Sequence, residues 1–129
     1  MGLSVGIITF NEEKRLERTL ESVKSFADEV IIVDSGSTDK THEIAQKFSA
    51  NFFVESWKGY GLQKNSVIDK CKEDWILLID ADEVISPELK NKIIEIVNQS
   101  KDDVYEVNFT SVCFGKKIKH GGWSGSYRI

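Results

Sequence analysis

Trp75-Ile76-Leu77-Leu78-Ile79-Asp80-Ala81-Asp82-Glu83 is the stretch on which the fold turns. Apolar residues run without alternation from Trp75 to Ile79, then give way to carboxylates separated by a single alanine. A short, unalternated apolar run reads as a strand buried on both faces, as in a parallel sheet between helices. Its acids then fall at the carboxyl end, where open α/β sheets bind their ligands. Asp80 and Asp82, about 4–6 Å apart, repel by roughly 3–4 kcal/mol at an effective dielectric near 20. A hard divalent cation carrying phosphates turns that repulsion into attraction. Two plainer readings stand beside this one. The acids can form a solvated turn after the strand, or they can cap a helix opening near Pro87, with Glu83 serving only as a cap.

Working outward, residues 4–10 read as a first buried strand. Asn11 then caps a helix over residues 12–25, with Glu12 and Glu13 in its first turn and Leu16, Leu20 and Val23 at helical spacing. Glu29–Asp34 is a second strand ending in an acid. Ser35-Gly36-Ser37-Thr38-Asp39 is a turn in which Asp39 or Thr38 caps a helix reaching Phe48, with Ile44 and Phe48 inward. Asn51–Val54 is a short third strand. Gly59-Tyr60-Gly61 loosens the chain before a helix over 62–72 that turns Val67, Ile68 and Cys71 to the core. Downstream, Ser86-Pro87-Glu88 is a specific helix start, and Ile93, Ile94 and Val97 are its expected buried stripe. Residues 104–110 alternate apolar with polar and predict an antiparallel or edge strand. Alternating strands and helices make residues 1–129 a single doubly wound α/β domain, a mostly parallel sheet with helices on both faces. Tyr127-Arg128-Ile129 reads as a strand with no successor, so the chain is expected to stop mid-fold.

With 129 residues, the chain can bury about two thirds of its unfolded surface in one core. A formal net charge of -4 and a pI near 5.2 argue against a general nucleic-acid binder. They leave room for a small phosphorylated ligand. Cys71 and Cys113 match no zinc or redox spacing and read as reduced structural thiols of a cytosolic protein. No basic leader precedes the apolar start, and no apolar stretch approaches the roughly 20 residues of a membrane span.

Strand ends at Thr9-Phe10-Asn11-Glu12, Asp34, and Asp80 with Asp82 would face one crevice. Carboxylates there can accept from ribose hydroxyls or a base N–H, and backbone amides over 35–37 can donate. A metal can bridge a diphosphate. Lys64 offers phosphate a point charge and Asn65 a positioning amide; taken alone, Lys64 reads more readily as a solvated helix lysine than as a phosphate ligand. There is no Gly-x-x-x-x-Gly-Lys-Ser/Thr loop, no Gly-x-Gly-x-x-Gly after the first strand and no Gly-x-Ser-x-Gly elbow. Residues 79–84 resemble the nucleophile strand of haloacid-dehalogenase-type phosphatases, but arrive after three strand–helix units, with too little chain following to supply the partner groups. His42 reads as an inert surface residue.

In order, Thr9-Phe10-Asn11-Glu12, Val33-Asp34-Ser35-Gly36-Ser37-Thr38-Asp39, Gly61-Leu62-Gln63-Lys64-Asn65 and Asp80-Ala81-Asp82-Glu83 resemble the family-2 glycosyltransferases of GT-A (Rossmann-like) fold. Phe114-Gly115-Lys116-Lys117-Ile118-Lys119-His120-Gly121-Gly122-Trp123 further resembles the branch that builds lipopolysaccharide core. The resemblance implies a metal-dependent, inverting transfer of sugar from a nucleotide donor, with UDP the expected nucleotide, to a glycan or glycolipid acceptor. It implies that Thr9, Asn11 and Glu12 line the nucleotide pocket and that Asp34 takes the base or ribose. Asp39 would brace the loop, Asp80 lie against ribose and diphosphate, and Asp82 bind Mg²⁺ or Mn²⁺. Phe10, Ser35, Gly36, Lys64, Asn65 and Ala81 join the donor-binding set. His120, Lys117 and Trp123 would touch sugar or acceptor, although Trp123 could equally plug the sheet edge. Such a protein would work in the cytoplasm, at the inner face of the membrane that carries its acceptor. The departure from the pattern is the base for the acceptor hydroxyl: after Asp103 the sole acid is Glu106, within a strand. The expectation is therefore a truncated or natively short donor-binding half; the alternative is a non-catalytic nucleotide-sugar-binding module.

Overall fold

Each buried strand sends alternate side chains to opposite helical layers, which is why its sequence shows no polar face. The computed structural model describes residues 2–99 together with strands at 104–106 and 113–116. Its elements are β1 (Leu3–Thr9), α1 (Leu16–Val23), β2 (Glu29–Asp34), α2 (Thr41–Lys47), β3 (Asn51–Val54), α3 (Tyr60–Lys70), β4 (Trp75–Asp80), α4 (Pro87–Gln99), β5 (Val104–Glu106) and β6 (Cys113–Lys116). The sheet runs β3-β2-β1-β4-β6-β5. Strands β3, β2, β1 and β4 are mutually parallel, while β6 runs antiparallel to β4 and β5 antiparallel to β6.

From β4, Trp75, Leu77 and Ile79 enter a core with Leu16, Leu20 and Val23 of α1 and Ile93 and Val97 of α4. Ile76 and Leu78 point the other way, onto Val67 and Ile68 of α3. Fully burying such side chains contributes about 1.5–3 kcal/mol each, enough to fix β4 in the centre. At Gly6 of β1 the sheet meets α3 so closely that an added Cβ would lie 2.4 Å from Val67 Cγ1.

The chain winds outward from β1 to β3, then returns to place β4 on the other side of β1. The topological switch point therefore lies between β1 and β4. Register brings the strand ends level there: Ile8 pairs with Asp80, and Thr9 with Asp34.

Several sequence expectations shift. The first helix starts at Leu16 and Asn11 does not cap it; Asn11 takes a positive φ of 51° instead. The amides of Asn11, Glu12 and Glu13 donate to Ser37 Oγ, Thr41 Oγ1 and Asp39 Oδ2. The approach to α1 is thus satisfied by side chains more than 25 residues away, which no local capping signal reports. The helix expected over 62–72 runs Tyr60–Lys70. In α4, Ser86 Oγ accepts from the Leu89 amide at 3.2 Å, as its start signal predicts. Ile94, expected in the buried stripe, is instead 36% exposed. Glu83 does not cap this helix: it is buried, and its carboxylate accepts the Asp80 amide at 2.7 Å. Among the described residues, no helix is long and apolar enough to cross a membrane.

Candidate functional site

A crevice of about 680 Å³ opens at the carboxyl ends of β1 and β4. Thr9, Phe10 and Glu12 form one wall, Asp80, Ala81 and Asp82 the other, with Ser35, Trp57 and Tyr60 beside them. The acidic turn is built rigidly. Glu83 holds the Asp80 amide, and its own amide donates to the Asp80 carbonyl. Buried Thr19 of α1 donates its hydroxyl to the Ala81 carbonyl at 2.7 Å. Ser22 Oγ accepts the Ile85 amide. Asp82, with a side chain 54% exposed, is left pointing to solvent at the crevice mouth.

Lys64 is not the solvated helix lysine its sequence context allowed. Its side chain is buried, and Nζ lies 3.8 Å from Asp80 Oδ1. Next to it, Asn65 Oδ1 is buried and has no hydrogen-bond partner among the described residues. An unmet buried acceptor of this kind costs about 1–3 kcal/mol unless a donor reaches it.

Asp34, expected to take base or ribose, is held by the protein's own donors. It is 1% exposed, and its Oδ1 accepts from Thr9 Oγ1 and Ser37 Oγ, each at 2.6 Å. Its Oδ2 accepts the Gly36 and Ser37 amides at 2.9 and 2.7 Å. Four donors fill the acceptor sites of one carboxylate. Asp34 therefore builds the loop that faces the crevice, and Gly36, at a φ of 99°, supplies the bend that aims both amides at it.

Asp39 ties the same loop to the other wall, accepting from the Glu13 amide and from the Thr41 amide and hydroxyl. Although burial pushes its carboxyl upward, those bonds outweigh it and hold Asp39 below the usual carboxylate range. Asn11 completes the tie by accepting the Thr38 amide at 2.9 Å. Asn11 and Asp39 line a neighbouring hollow with Glu12 and Arg15, not the main crevice. At Glu12, burial raises the carboxyl above its ordinary value against the pull of Arg15, and Asp82 adds to the rise.

Sequence reasoning named Phe10 but missed the other two aromatic side chains of the crevice, Trp57 and Tyr60. Trp57 and Tyr60 are 51% and 68% exposed, pack edge to face at 4.8 Å, and stand with Phe10, itself 56% exposed. Residues 55–59 present Trp57 from a braced loop. Buried Gln63 accepts the Lys58 amide and donates to the Glu55 carbonyl and Ser35 Oγ. The Glu55 carboxylate, bonded to Lys58, Lys70 and Ser66, falls to about 2. Clustered exposed aromatics on a braced loop are the available signal, and it is visible only once the loop is folded.

His120, Lys117 and Trp123 lie outside the described residues, as does the stretch 127–129. Among the described residues, no group of three or more His, Cys, Asp or Glu side chains is placed to hold a metal.

Residues 4–125 match the model of glycosyl transferase family 2. An uncharacterized glycosyltransferase of Rickettsia bellii is 50% identical over 103 residues, covering 80% of this chain and 35% of that protein. The lipopolysaccharide core biosynthesis glycosyltransferase LpsC of Rhizobium meliloti is 37% identical over 107 residues, covering 79% of this chain and 39% of that one. Among solved structures, S. aureus TarS 1-349 in complex with UDP superposes with a TM-score of 0.60 at 27% identity, covering 76% of this chain and 32% of that one. The chain thus spans little more than a third of the length of these two curated relatives.

Proposed function

Since this chain belongs to glycosyl transferase family 2 and carries a GT-A fold, we propose that its crevice receives the nucleoside diphosphate of a nucleotide-sugar, UDP being the nucleotide. The observation that carries this reading is the pairing, in one crevice at the switch point, of an aromatic wall with a carboxylate turn. Trp57, Tyr60 and Phe10 suit the face of a base, and the turn suits a cation-bearing diphosphate.

The donor set fits a divalent cation in one mode. Mg²⁺ and ions like it bind through one or two carboxylates plus substrate phosphates, and do not need an all-protein cage. Exposed Asp82, with Asp80 behind it, would hold Mg²⁺ or Mn²⁺ in that way. When bound, the cation neutralises charge on the departing nucleoside diphosphate. Lys64 keeps Asp80 compensated within the buried end of the turn, and the Glu83 and Thr19 bonds fix the turn's backbone, so Asp82 is positioned before any ligand arrives. Inversion at the anomeric carbon would require a base on the acceptor hydroxyl; no described residue is assigned that role. The acceptor of the whole protein is proposed to be a glycan or a lipopolysaccharide-core glycolipid, in line with the relative LpsC, which would bring the protein to the cytoplasmic face of a membrane.

Titration of UDP in the presence of Mn²⁺, followed by calorimetry, tests the donor reading. The parent chain is expected to bind UDP. Trp57→Ala is expected to weaken binding about 5- to 100-fold, the range for loss of one aromatic–base stack. Unchanged affinity in Trp57→Ala would remove the aromatic wall from the account. Absence of UDP binding by the parent would remove the donor reading itself.

A further inference from the structure

Arg15 joins the two acidic walls of the crevice. Its Nε and Nη2 both reach Glu12 Oε2 at 3.1 Å, and its Nη1 stands 4.0 Å from Asp82 Oδ2. Glu12 follows β1 and Asp82 follows β4, so the guanidinium is seated on one wall and extends to the other. We infer that Arg15 is a built-in counter-ion for Asp82, occupying the charge position that a cation–diphosphate takes on donor binding and then giving Asp82 up to it. This rests on the donor reading of the crevice.

The asymmetry of the contacts supports the exchange. Two short contacts on one oxygen anchor Arg15 to Glu12, whose side chain is only 20% exposed. The longer contact, to the 54% exposed Asp82, is the one that yields. Without a cation, the like charges of Glu12 and Asp82 would repel across the opening. A single guanidinium relieves that repulsion, while a divalent ion, with twice the charge and direct coordination, outcompetes it for Asp82. The competitor is exposed, so its effect is modest and fades with salt.

The inference is tested by Mn²⁺ binding alone, read from the electron paramagnetic resonance signal of free Mn²⁺ at low ionic strength. Four chains are compared: the parent, Arg15→Gln, Asp82→Asn and the double variant. Arg15→Gln is expected to tighten Mn²⁺ binding about two- to fivefold, and to have no such effect when Asp82 is already Asn. Equal or weaker binding in Arg15→Gln, or a gain that persists in the Asp82→Asn background, overturns it. UDP calorimetry on the same chains separates the two readings. If parent and Arg15→Gln bind UDP with Mn²⁺ equally well and bind Mn²⁺ alone equally well, the counter-ion role fails while the donor reading stands. If neither binds UDP, both fall.

Discussion

Gly6→Val is expected to lower the free energy of unfolding by about 3 kcal/mol or more, and Gly6→Ala by about 1–3 kcal/mol, as overpacking does in well-filled cores. A Cβ at this position would lie 2.4 Å from Val67 Cγ1 and 3.0 Å from Leu78 Cδ2. Neither neighbour can withdraw cheaply. Val67 is β-branched and fully buried on α3, and Leu78 is held in the central strand. Elsewhere in a strand, replacing glycine with alanine would remove freedom from the unfolded chain and tend to stabilise. Here the steric cost wins, because Gly6 sets the distance between the sheet and α3. Urea unfolding of Gly6→Ala, Val67→Ala and the double variant checks the cause. Shortening Val67 makes room for the new methyl, so the two changes should cost less together than their sum. Strict additivity would show that the destabilisation has another origin.

Asp82→Asn is expected to weaken Mn²⁺-dependent UDP binding about 10- to 100-fold while leaving stability within about 0.5 kcal/mol of the parent. Asparagine keeps the size of the side chain and removes the charge a hard cation requires. Asp82 makes no hydrogen bond that holds the fold among those described, and its 4.0 Å pair with Arg15 is solvent-exposed and weak. The change therefore separates ligand chemistry from folding. Asp80 could not serve this purpose, because its backbone and its neighbour Lys64 are tied into the turn. Calorimetry with UDP, with and without Mn²⁺, reads the first effect, and thermal unfolding the second. Equal affinity in both chains would mean that the cation, if bound, sits elsewhere.

The elements that were legible in the sequence are those whose cause is local. β4 shows itself as an apolar run closed by acids, and α4 by Ser86-Pro87-Glu88; both stand where expected. β2 and β3 match residue for residue. Illegible were features made by contacts between distant segments. The start of α1 moved because Ser37, Asp39 and Thr41 supply the bonds a local cap would have made. The burial of Lys64 is invisible in a polar stretch such as Gln63-Lys64-Asn65-Ser66, whose helix has no strong apolar stripe to orient it. Asp34 was correctly singled out as a strand-end acid, but its four donors come from two residues of the folded loop, Gly36 and Ser37, and from Thr9 across the sheet. Trp57 and Tyr60 carry no periodic signal; the braced loop alone brings them to the crevice.

The central claim is that a divalent cation binds at the tip of β4 together with a nucleoside diphosphate. Its most direct test is a crystal of this chain grown with UDP and Mn²⁺, with data collected at the manganese absorption edge. The account predicts an anomalous peak between the Asp82 carboxylate and the diphosphate, with the uracil against Trp57 and Tyr60. A bound UDP with no such peak, or a peak away from Asp82, would contradict it.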